Sequence, residues 1–268
     1  MSLLPKGYDM KHDQICDTIS IYKGHCNDIM GLLIQDDIKV DLVLTDPPYG
    51  ITHLDWDKHL DWDKIWDHLN KLTNDNTPIL LFGMEPFSSL LRLSNINNWK
   101  YDYYWKKERL TNIAQVKRRP GKIIETISVF YRKQPIYNPQ MVPYHGPKRT
   151  NKVKNGKLGD IVNKGKKNKV KEYKDTGFRY PTQLLEYKRD ILTSNLHPTQ
   201  KPVDLLKHLI LTYTHENMTV LDFTMGSGST GIACLETNRK FIGIEKDEKF
   251  FNISKNRIKK HIDENTFF

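Results

Sequence analysis

The chain alternates short apolar runs with amphipathic segments. Apolar runs of strand length occur at 18–22, 40–45, 79–82, 218–223 and 240–244. Segments whose apolar residues recur at helical spacing lie at 27–34, 61–72, 86–93, 202–214, 229–237 and 247–261. Strands that alternate with helices in this way form βαβ units, so the pattern predicts an α/β fold with a mainly parallel sheet.

The middle third of the chain interrupts this alternation. Residues 101–131 predict strands around a basic loop, and an irregular, lysine-rich stretch follows to about Arg189. We therefore expect residues 105–190 to be an insert, with a flexible basic loop at 146–175. Residues 1–104 and 191–268 are then the N-terminal and C-terminal parts of one main domain.

Composition excludes several protein classes. With 268 residues, of which 38% are hydrophobic and 10% aromatic, the chain can bury a large core and is too apolar for wholesale disorder. Its three cysteines are widely spaced and form no CxxC pair, which predicts a reducing compartment, no disulfide framework and no metal site. Neither a run long enough to span a membrane nor a signal peptide is evident, so we expect a cytoplasmic protein with no membrane partner.

Positive charge is concentrated in one part of the chain. The net charge is +10, and residues 148–174 alone carry eleven lysines and arginines against two acids. A second basic group, at 106–122 and including Lys107 and Lys122, follows the aromatic residues Tyr103, Tyr104 and Trp105. Such a mixture of phosphate-binding charge and aromatic surface for stacking bases favours a nucleic acid as the partner, although a solvated lysine-rich insert is the alternative. The candidate contacts are Lys106, Arg109, Lys117, Arg118, Arg119, Lys148, Arg149, Lys166 and Lys167.

A glycine-rich loop at 226–231 follows one predicted strand and opens a helix. Its sequence, GSGSTG, allows a ligand to approach the backbone closely, and Glu245 ends the next strand, where an acid can accept from ribose hydroxyls. A nucleoside-containing cofactor is therefore predicted, with a structural tight turn as the alternative. Because only 37 residues follow Gly231, the other strands of this sheet must come from the N-terminal half. Ligands then collect at the carboxyl ends of both halves, which places Asp46 and Gly226 at one crevice.

The loop Asp46-Pro47-Pro48-Tyr49 also ends a predicted strand. It combines a carboxylate, a stiff backbone with a free carbonyl group, and an aromatic ring. An exocyclic amine of a nucleobase is a poor nucleophile because its lone pair is delocalised into the ring, and two acceptors on its hydrogens help to localise that pair. Asp46 and the carbonyl group of Pro47 could hold such an amine while Tyr49 stacks on an extruded base. A rigid turn is the alternative.

Three motifs in this order resemble the amino-methylating DNA methyltransferases that use S-adenosylmethionine. They are TDPPYG at 45–50, HPTQKP at 197–202 and LDFTMGSGSTGIA at 221–233. Their order resembles the beta-group arrangement, with the catalytic loop first and the cofactor loop last. The similarity continues through 105–141 and leaves roughly 142–190 outside. It implies a Rossmann-like methyltransferase fold with a mixed, mainly parallel sheet in permuted motif order, in which 105–190 recognises the target.

The resemblance also implies roles for individual residues. Residues of the first motif would bind the flipped base and its amino group: Asp46, Pro47, Pro48 and Tyr49. Residues of the other two motifs, with Glu245 on the ribose, would bind the cofactor: Asp222, Phe223, Gly226, Gly228, Glu245, Thr199, Gln200 and Lys201. One position departs from the pattern. His25 stands where the family usually has an acid near the adenine ring, which puts that contact in doubt.

The expected activity is direct transfer of a methyl group to N6 of adenine in double-stranded DNA, without a covalent intermediate and without a metal. Aspartate at the first position of the tetrapeptide favours adenine N6 in the family, and N4 of cytosine is the near alternative. An RNA methyltransferase, a nicotinamide-dependent oxidoreductase and a catalytically silent DNA-binding protein are more distant alternatives. The resemblance is also compatible with a homodimer and with a cognate restriction endonuclease as a partner.

Overall fold

The computed structural model describes residues 12–50, 60–110, 113–147, 175–189 and 200–265. The α-helices in these residues are α1 (Cys26–Gln35), α2 (Trp62–Leu72), α3 (Phe87–Ser94), α4 (Val203–Tyr213), α5 (Ser229–Leu235) and α6 (Glu248–Asn265). The strands are β1 (His12–Cys16), β2 (Ile19–Lys23), β3 (Leu42–Thr45), β4 (Ile79–Gly83), β5 (Trp99–Lys106), β6 (Ile124–Phe130), β7 (Val142–Pro143), β8 (Phe178–Arg179), β9 (Leu184–Glu186), β10 (Thr219–Asp222) and β11 (Lys240–Glu245).

Nine strands form one mixed sheet in the order β1-β2-β11-β10-β3-β4-β6-β5-β9. The five strands from β2 to β4 run parallel, whereas β6 is antiparallel to both of its neighbours and β1 is antiparallel to β2. C-terminal strands β10 and β11 thus lie between N-terminal strands β3 and β2. The predicted mainly parallel sheet, assembled from both ends of the chain, is confirmed.

Helices cover both faces of the sheet because its central strands are apolar on both sides. Every residue of β3 and β4 is buried, as parallel strands between two helical layers require. Leu42 and Leu44 belong to the core cluster that contains residues of α4, α5 and α6. Val43, with the opposite side-chain direction, belongs to the cluster formed with α1, α2 and α3. Two apolar layers therefore hold the strand ends that carry the motifs.

The edges of the sheet differ from the sequence expectation. β1 was not predicted, because its sequence, HDQIC, has no apolar alternation and its residues are exposed or half-buried at the edge. At the other edge, β9 pairs in parallel with β5 at Tyr104, Trp105 and Lys106. The expectation of an irregular stretch to about Arg189 was therefore wrong at 184–186. Three residues are too short a run for periodicity to identify a strand.

The chain divides into two compact units. The larger comprises residues up to Asn138 and from Thr182 onward, and includes the nine-stranded sheet; the smaller is Pro139–Pro181, in which β7 and β8 pair antiparallel. The functional division expected at 105 and 190 stays a prediction. Of the helices in the described residues, none is both long and apolar enough to span a membrane.

Candidate active site

The larger unit contains a cavity of about 650 Å³ at the carboxyl ends of β2, β3, β10 and β11. This volume is typical of a small-molecule site. Residues at four strand ends line it, among them His25, Asp46, Asp222 and Glu245. Parallel strands that end at one edge of the sheet produce this convergence.

Hydrogen bonds tie the loop after β3 to the loop after β10. The Thr45 hydroxyl donates to Asp222 Oδ1 at 3.1 Å and accepts from the backbone N–H of Phe223 at 3.1 Å. The Thr224 hydroxyl donates to the backbone carbonyl of Asp46 at 3.0 Å. Asp46 and Gly226 both line the cavity, so the expectation that they face one crevice agrees with the structure.

The Asp46 carboxylate has a partner on each oxygen. The Tyr49 hydroxyl donates to Oδ1 at 2.5 Å, and Lys201 forms an ion pair with Oδ2. The Tyr49 ring stacks on Phe87 with a centroid distance of 5.0 Å. Pro47 and Pro48 line the cavity beside them. The four residues of the tetrapeptide are thus together at the cavity wall, and the stacking of Tyr49 on a base stays a prediction.

Lys201 also belongs to a buried group of charges. Its ammonium lies 3.4 Å from Glu125 Oε2, and Lys107 pairs with Glu125 Oε1. Less than a tenth of each of these three side chains is exposed. Burial opposes ionisation of Glu125, but the two ammonium groups outweigh it and lower the pKa of this carboxyl. Burial likewise opposes protonation of Lys201, yet the charges of Asp46 and Glu125 raise its pKa.

The glycine loop has the backbone geometry that only glycine adopts readily. Gly226 has a φ of 51° and Gly228 a φ of 80°. Gly226 lines the cavity, and its N–H donates to Glu245 Oε2 at 3.0 Å. Gly228 instead caps α5 against α6, where an added Cβ would lie 2.9 Å from Ser254 Cβ. Gly228 therefore shapes the loop, and its predicted contact with the cofactor stays a prediction.

Glu245 and Gln200 present polar atoms at the same cavity. Glu245 Oε1 accepts from the Asp247 N–H at 2.8 Å, which leaves further lone pairs on the carboxylate. The side-chain amide of Gln200 lines the cavity, and among the described residues neither its Oε1 nor its Nε2 has a hydrogen-bond partner, although both atoms are buried. A polar ligand would supply those partners. Thr199 lies outside the described residues.

Asp222 is a second buried acid at the cavity with a raised pKa. Burial raises the pKa of its carboxyl to about 7, although the hydroxyls of Thr230 and Thr45 and the N–H of Thr224 donate to it. Phe223 follows it at the cavity wall. With this pKa, the Asp222 carboxyl changes from neutral to ionised near neutral pH in the folded protein.

This shift predicts a pH dependence of stability. A carboxyl whose pKa is higher in the folded protein than in the unfolded chain holds its proton more tightly when folded, so its contribution to stability decreases as pH rises from about 4 to 7. Asp222→Asn cannot ionise. Relative to wild type, its free energy of unfolding should therefore rise by about 2 kcal/mol between pH 5 and pH 7. Urea unfolding at both values measures this, with exposed Asp67→Asn as the control; a pH-independent difference would contradict it.

The predicted nucleic-acid contacts lie partly on the β5–β6 connection. Arg109, Lys117, Arg118 and Arg119 are exposed there, and Arg119 also lines the cavity. Lys106 pairs with Glu186 Oε1 at 3.0 Å. The remaining candidates lie outside the described residues: Lys148, Arg149, Lys166 and Lys167.

Two expectations for this region were wrong. Tyr103 and Trp105 are 4% and 1% exposed, so they pack in the core and do not form a surface for stacking bases. The ammonium of Lys107, counted among the phosphate-binding charges, is buried against Glu125. The reason is strand alternation, since residues 103, 105 and 107 point to one face, which is the buried one.

Lys107 and Glu125 are site residues that the sequence interpretation did not identify. The sequence does contain a signal for both residues, which is their position in the alternation of buried residues along the strands. Glu125 is in phase with the buried residues Ile127 and Val129 on β6, just as Lys107 continues the buried phase of β5. A charge in phase with core residues must be paired, because an isolated buried charge is very costly.

Comparison with known proteins identifies the family. Residues 40–256 match the family described as DNA methylase, that of the N6 and N4 methyltransferases. Type II methyltransferase M2.MboI of Moraxella bovis is 28% identical over 253 residues, which cover 89% of this chain and 86% of that protein.

Solved structures agree in fold. The M1.HpyAVI–SAM complex is 26% identical, with a TM-score of 0.62 over 90% of this chain and 98% of that one. PvuII DNA methyltransferase, cytosine-N4-specific, is 16% identical with a TM-score of 0.61, and 92% of each chain is covered. This chain belongs to the DNA methylase family of N6 and N4 methyltransferases, whose methyl donor is S-adenosylmethionine.

Proposed function

We propose that the chain is a site-specific methyltransferase that acts on N6 of adenine in double-stranded DNA. The observation that carries the proposal is the position of the Asp46 carboxylate, which shares one cavity with the glycine loop and Glu245. The acceptor for an amino group, Asp46, and the residues that would bind a nucleoside, the glycine loop and Glu245, therefore line the same cavity. Aspartate as the first residue of the tetrapeptide supports adenine over cytosine as the target.

The residues present fit S-adenosylmethionine. Glu245 offers carboxylate lone pairs to a ribose. The amide of Gln200, which no described residue hydrogen-bonds, offers a donor and an acceptor to a polar group. Asp222, Phe223 and Gly226 would line the methionine end, and Gly228 would shape the loop. Thr199 belongs with Gln200 to the motif that the resemblance assigns to the cofactor. When bound, the cofactor supplies a methyl group activated by a sulfonium sulfur.

The base would enter with its amino group toward Asp46. The carboxylate and the backbone carbonyl of Pro47 accept from the two amino hydrogens and so localise the nitrogen lone pair. With S-adenosylmethionine bound, the nitrogen would take the methyl group as the carbon–sulfur bond breaks and its electron pair stays on sulfur, and the nitrogen would release one proton to water by way of the Asp46 carboxylate. Positioning and preorganised acceptors supply the rate enhancement. The Tyr49 hydroxyl holds Asp46, and Pro48 keeps the loop stiff.

The DNA duplex would be recognised by residues 105–190. The exposed cations Arg109, Lys117, Arg118 and Arg119 support this, since phosphate contacts require accessible positive charge. The relative M2.MboI is named a type II methyltransferase, which supports a restriction-modification role with a cognate endonuclease. A homodimer remains part of the proposal on the family resemblance.

Analysis of the methylated product tests the proposal. We expect tritiated methyl transfer from S-adenosylmethionine to unmethylated genomic DNA, with the label in N6-methyladenine after digestion and nucleoside chromatography. Label in N4-methylcytosine would keep the chemistry and change the base, in line with the fold shared with the PvuII enzyme. Label only in an RNA control, or none in either nucleic acid, would contradict the proposal.

A further inference from the structure

The ammonium of Lys201 is enclosed by two carboxylates on the inner side of the cavity. It pairs with Asp46 Oδ2 and lies 3.4 Å from Glu125 Oε2. The family resemblance assigned Lys201 to the cofactor, yet its ion pairs are with the tetrapeptide and β6, and its ammonium lies 5.1 Å from the centroid of the Phe82 ring on β4. With only 8% of the side chain exposed, its position is determined by these charges.

Rotation of the Asp46 carboxylate is restrained at both oxygens. The Tyr49 hydroxyl holds Oδ1 at 2.5 Å while Lys201 holds Oδ2. Glu125 keeps Lys201 from being a partner of Asp46 alone, and Lys107 neutralises Glu125 from the other side. Two ammonium groups thus balance two carboxylates, which makes the burial of all four charges tolerable.

We propose that Lys201 and Glu125 are positioning residues for Asp46: Lys201 keeps the Asp46 carboxylate ionised and oriented toward the amino group of the target base, and Glu125 holds Lys201 and limits how strongly it pairs with Asp46. This inference rests on the proposed function, because it presumes that Asp46 accepts from that amino group. Lys201 acts by holding a negative charge in place. Glu125 has the opposite effect on the charge of Asp46. Because Glu125 shares the ammonium of Lys201, the Asp46 carboxylate is less neutralised and accepts a hydrogen bond from the base more strongly.

The charges around Asp46 predict opposite effects for the two residues. Burial raises the pKa of Asp46, Glu125 adds to that rise, and Lys201 opposes it. Removing Lys201 should raise this pKa further, whereas neutralising Glu125 should lower it. Lys107 reaches Asp46 only through Glu125. The titratable and charged groups that act on Asp46 come from its own loop, β6, the segment before α4 and β10: Tyr49, Glu125, Lys201 and Asp222.

The experiment measures single-turnover methyl transfer to unmethylated genomic DNA between pH 5 and pH 9, at saturating S-adenosylmethionine. For Lys201→Met we expect the rate of methyl transfer to fall about 100-fold at pH 7.5. We also expect the acidic limb of the pH–rate profile, where protonation of Asp46 lowers the rate, to move upward by about one pH unit or more. For Glu125→Gln the limb should move downward. Lys201→Arg keeps the charge and should keep the limb of wild type. Calorimetric titration with S-adenosylmethionine should give affinities within about threefold of wild type for all three variants.

Lys207→Met is the matched control. Lys207 lies on α4, six residues after Lys201. Its ammonium lies 2.8 Å from Glu236 Oε2 and forms no ion pair with Asp46. Its removal should leave the rate and the acidic limb unchanged. A purely structural role of Lys201 or Glu125 would lower the rate at every pH without moving the limb.

Several outcomes would overturn the inference. The Lys201→Met variant could lose affinity for S-adenosylmethionine by as much as it loses rate, while its acidic limb stays at the pH of wild type. That result would assign Lys201 to the cofactor instead. Should circular dichroism show that Lys201→Met does not fold, Glu125→Gln decides, and an unmoved limb in that variant rejects the proposal. An active wild type with unmoved limbs refutes this inference alone, whereas absence of transfer by wild type refutes the proposed function as well.

Discussion

Replacing Asp46 by asparagine or alanine is expected to lower the rate of methyl transfer to DNA by about 1,000-fold. The Asp46 carboxylate is the charged acceptor proposed for the amino group of the base, and asparagine has only one acceptor oxygen in its place. Alanine removes both oxygens and also the partners of Tyr49 and Lys201. Single-turnover transfer of a tritiated methyl group, with saturating enzyme and cofactor, measures this step directly.

Binding should change much less than the rate. Asp46 contributes no contact to Glu245 or to Gln200, so the affinity for S-adenosylmethionine should stay within a few fold of wild type. Asp67→Asn is the control for the chemical change, because Asp67 is exposed on α2 and pairs with Lys71 only at the surface. If Asp46→Asn keeps a rate within tenfold of wild type, the carboxylate is not the acceptor that catalysis requires.

Replacing Gly228 by alanine is expected to lower the free energy of unfolding by about 3 kcal/mol. Part of this cost comes from the φ of 80°, since a left-handed conformation costs a non-glycine residue about 1–2 kcal/mol. The rest comes from overpacking, because the new Cβ would lie 2.9 Å from Ser254 Cβ and 3.3 Å from Ser254 Cα. Urea unfolding measures the change. Calorimetry should also show weaker binding of S-adenosylmethionine, as α5 begins beside Gly226.

Gly31→Ala is the matched control for this substitution. Gly31 lies within α1, and an added Cβ would meet nothing within 4 Å. Alanine is favoured over glycine in a helix by about 1 kcal/mol, so this variant should be as stable as wild type or more stable. Equal losses at both positions would show that the fit between α5 and α6 is not what requires glycine at 228.

Most of the elements could be predicted because their signals are local. Apolar runs marked β3, β4, β10 and β11 to within about two residues, and helical spacing marked the six helices of the described chain. The order of these elements also predicted that β10 and β11 join strands from the N-terminal half, because too few residues follow them to build a sheet. A loop at the carboxyl end of a parallel strand can only face the edge where the other loops end.

The residues that surround Asp46 were harder to predict. Lys201 and Glu125 are 155 and 79 positions away from it in sequence, and no periodicity relates residues so far apart. Lys107 was read as a surface charge because lysines usually are, although its phase on β5 is that of Trp105. The exposed run of positive charge suggested that its neighbours were exposed as well.

Sequence by itself determined the fold class, the succession of the main helices and parallel strands along the chain, and the two loops that meet at the cavity. These follow from short-range patterns, from chain length and from the rule that parallel strands end at one edge of a sheet. Only the tertiary structure decided which charges neutralise one another. Pairing of Lys201 with Asp46 and of Lys107 with Glu125 depends on distances of a few ångströms between strands and loops. Those distances exist only once apolar packing has brought the strands together, because the same charges in the unfolded chain are solvated and far apart.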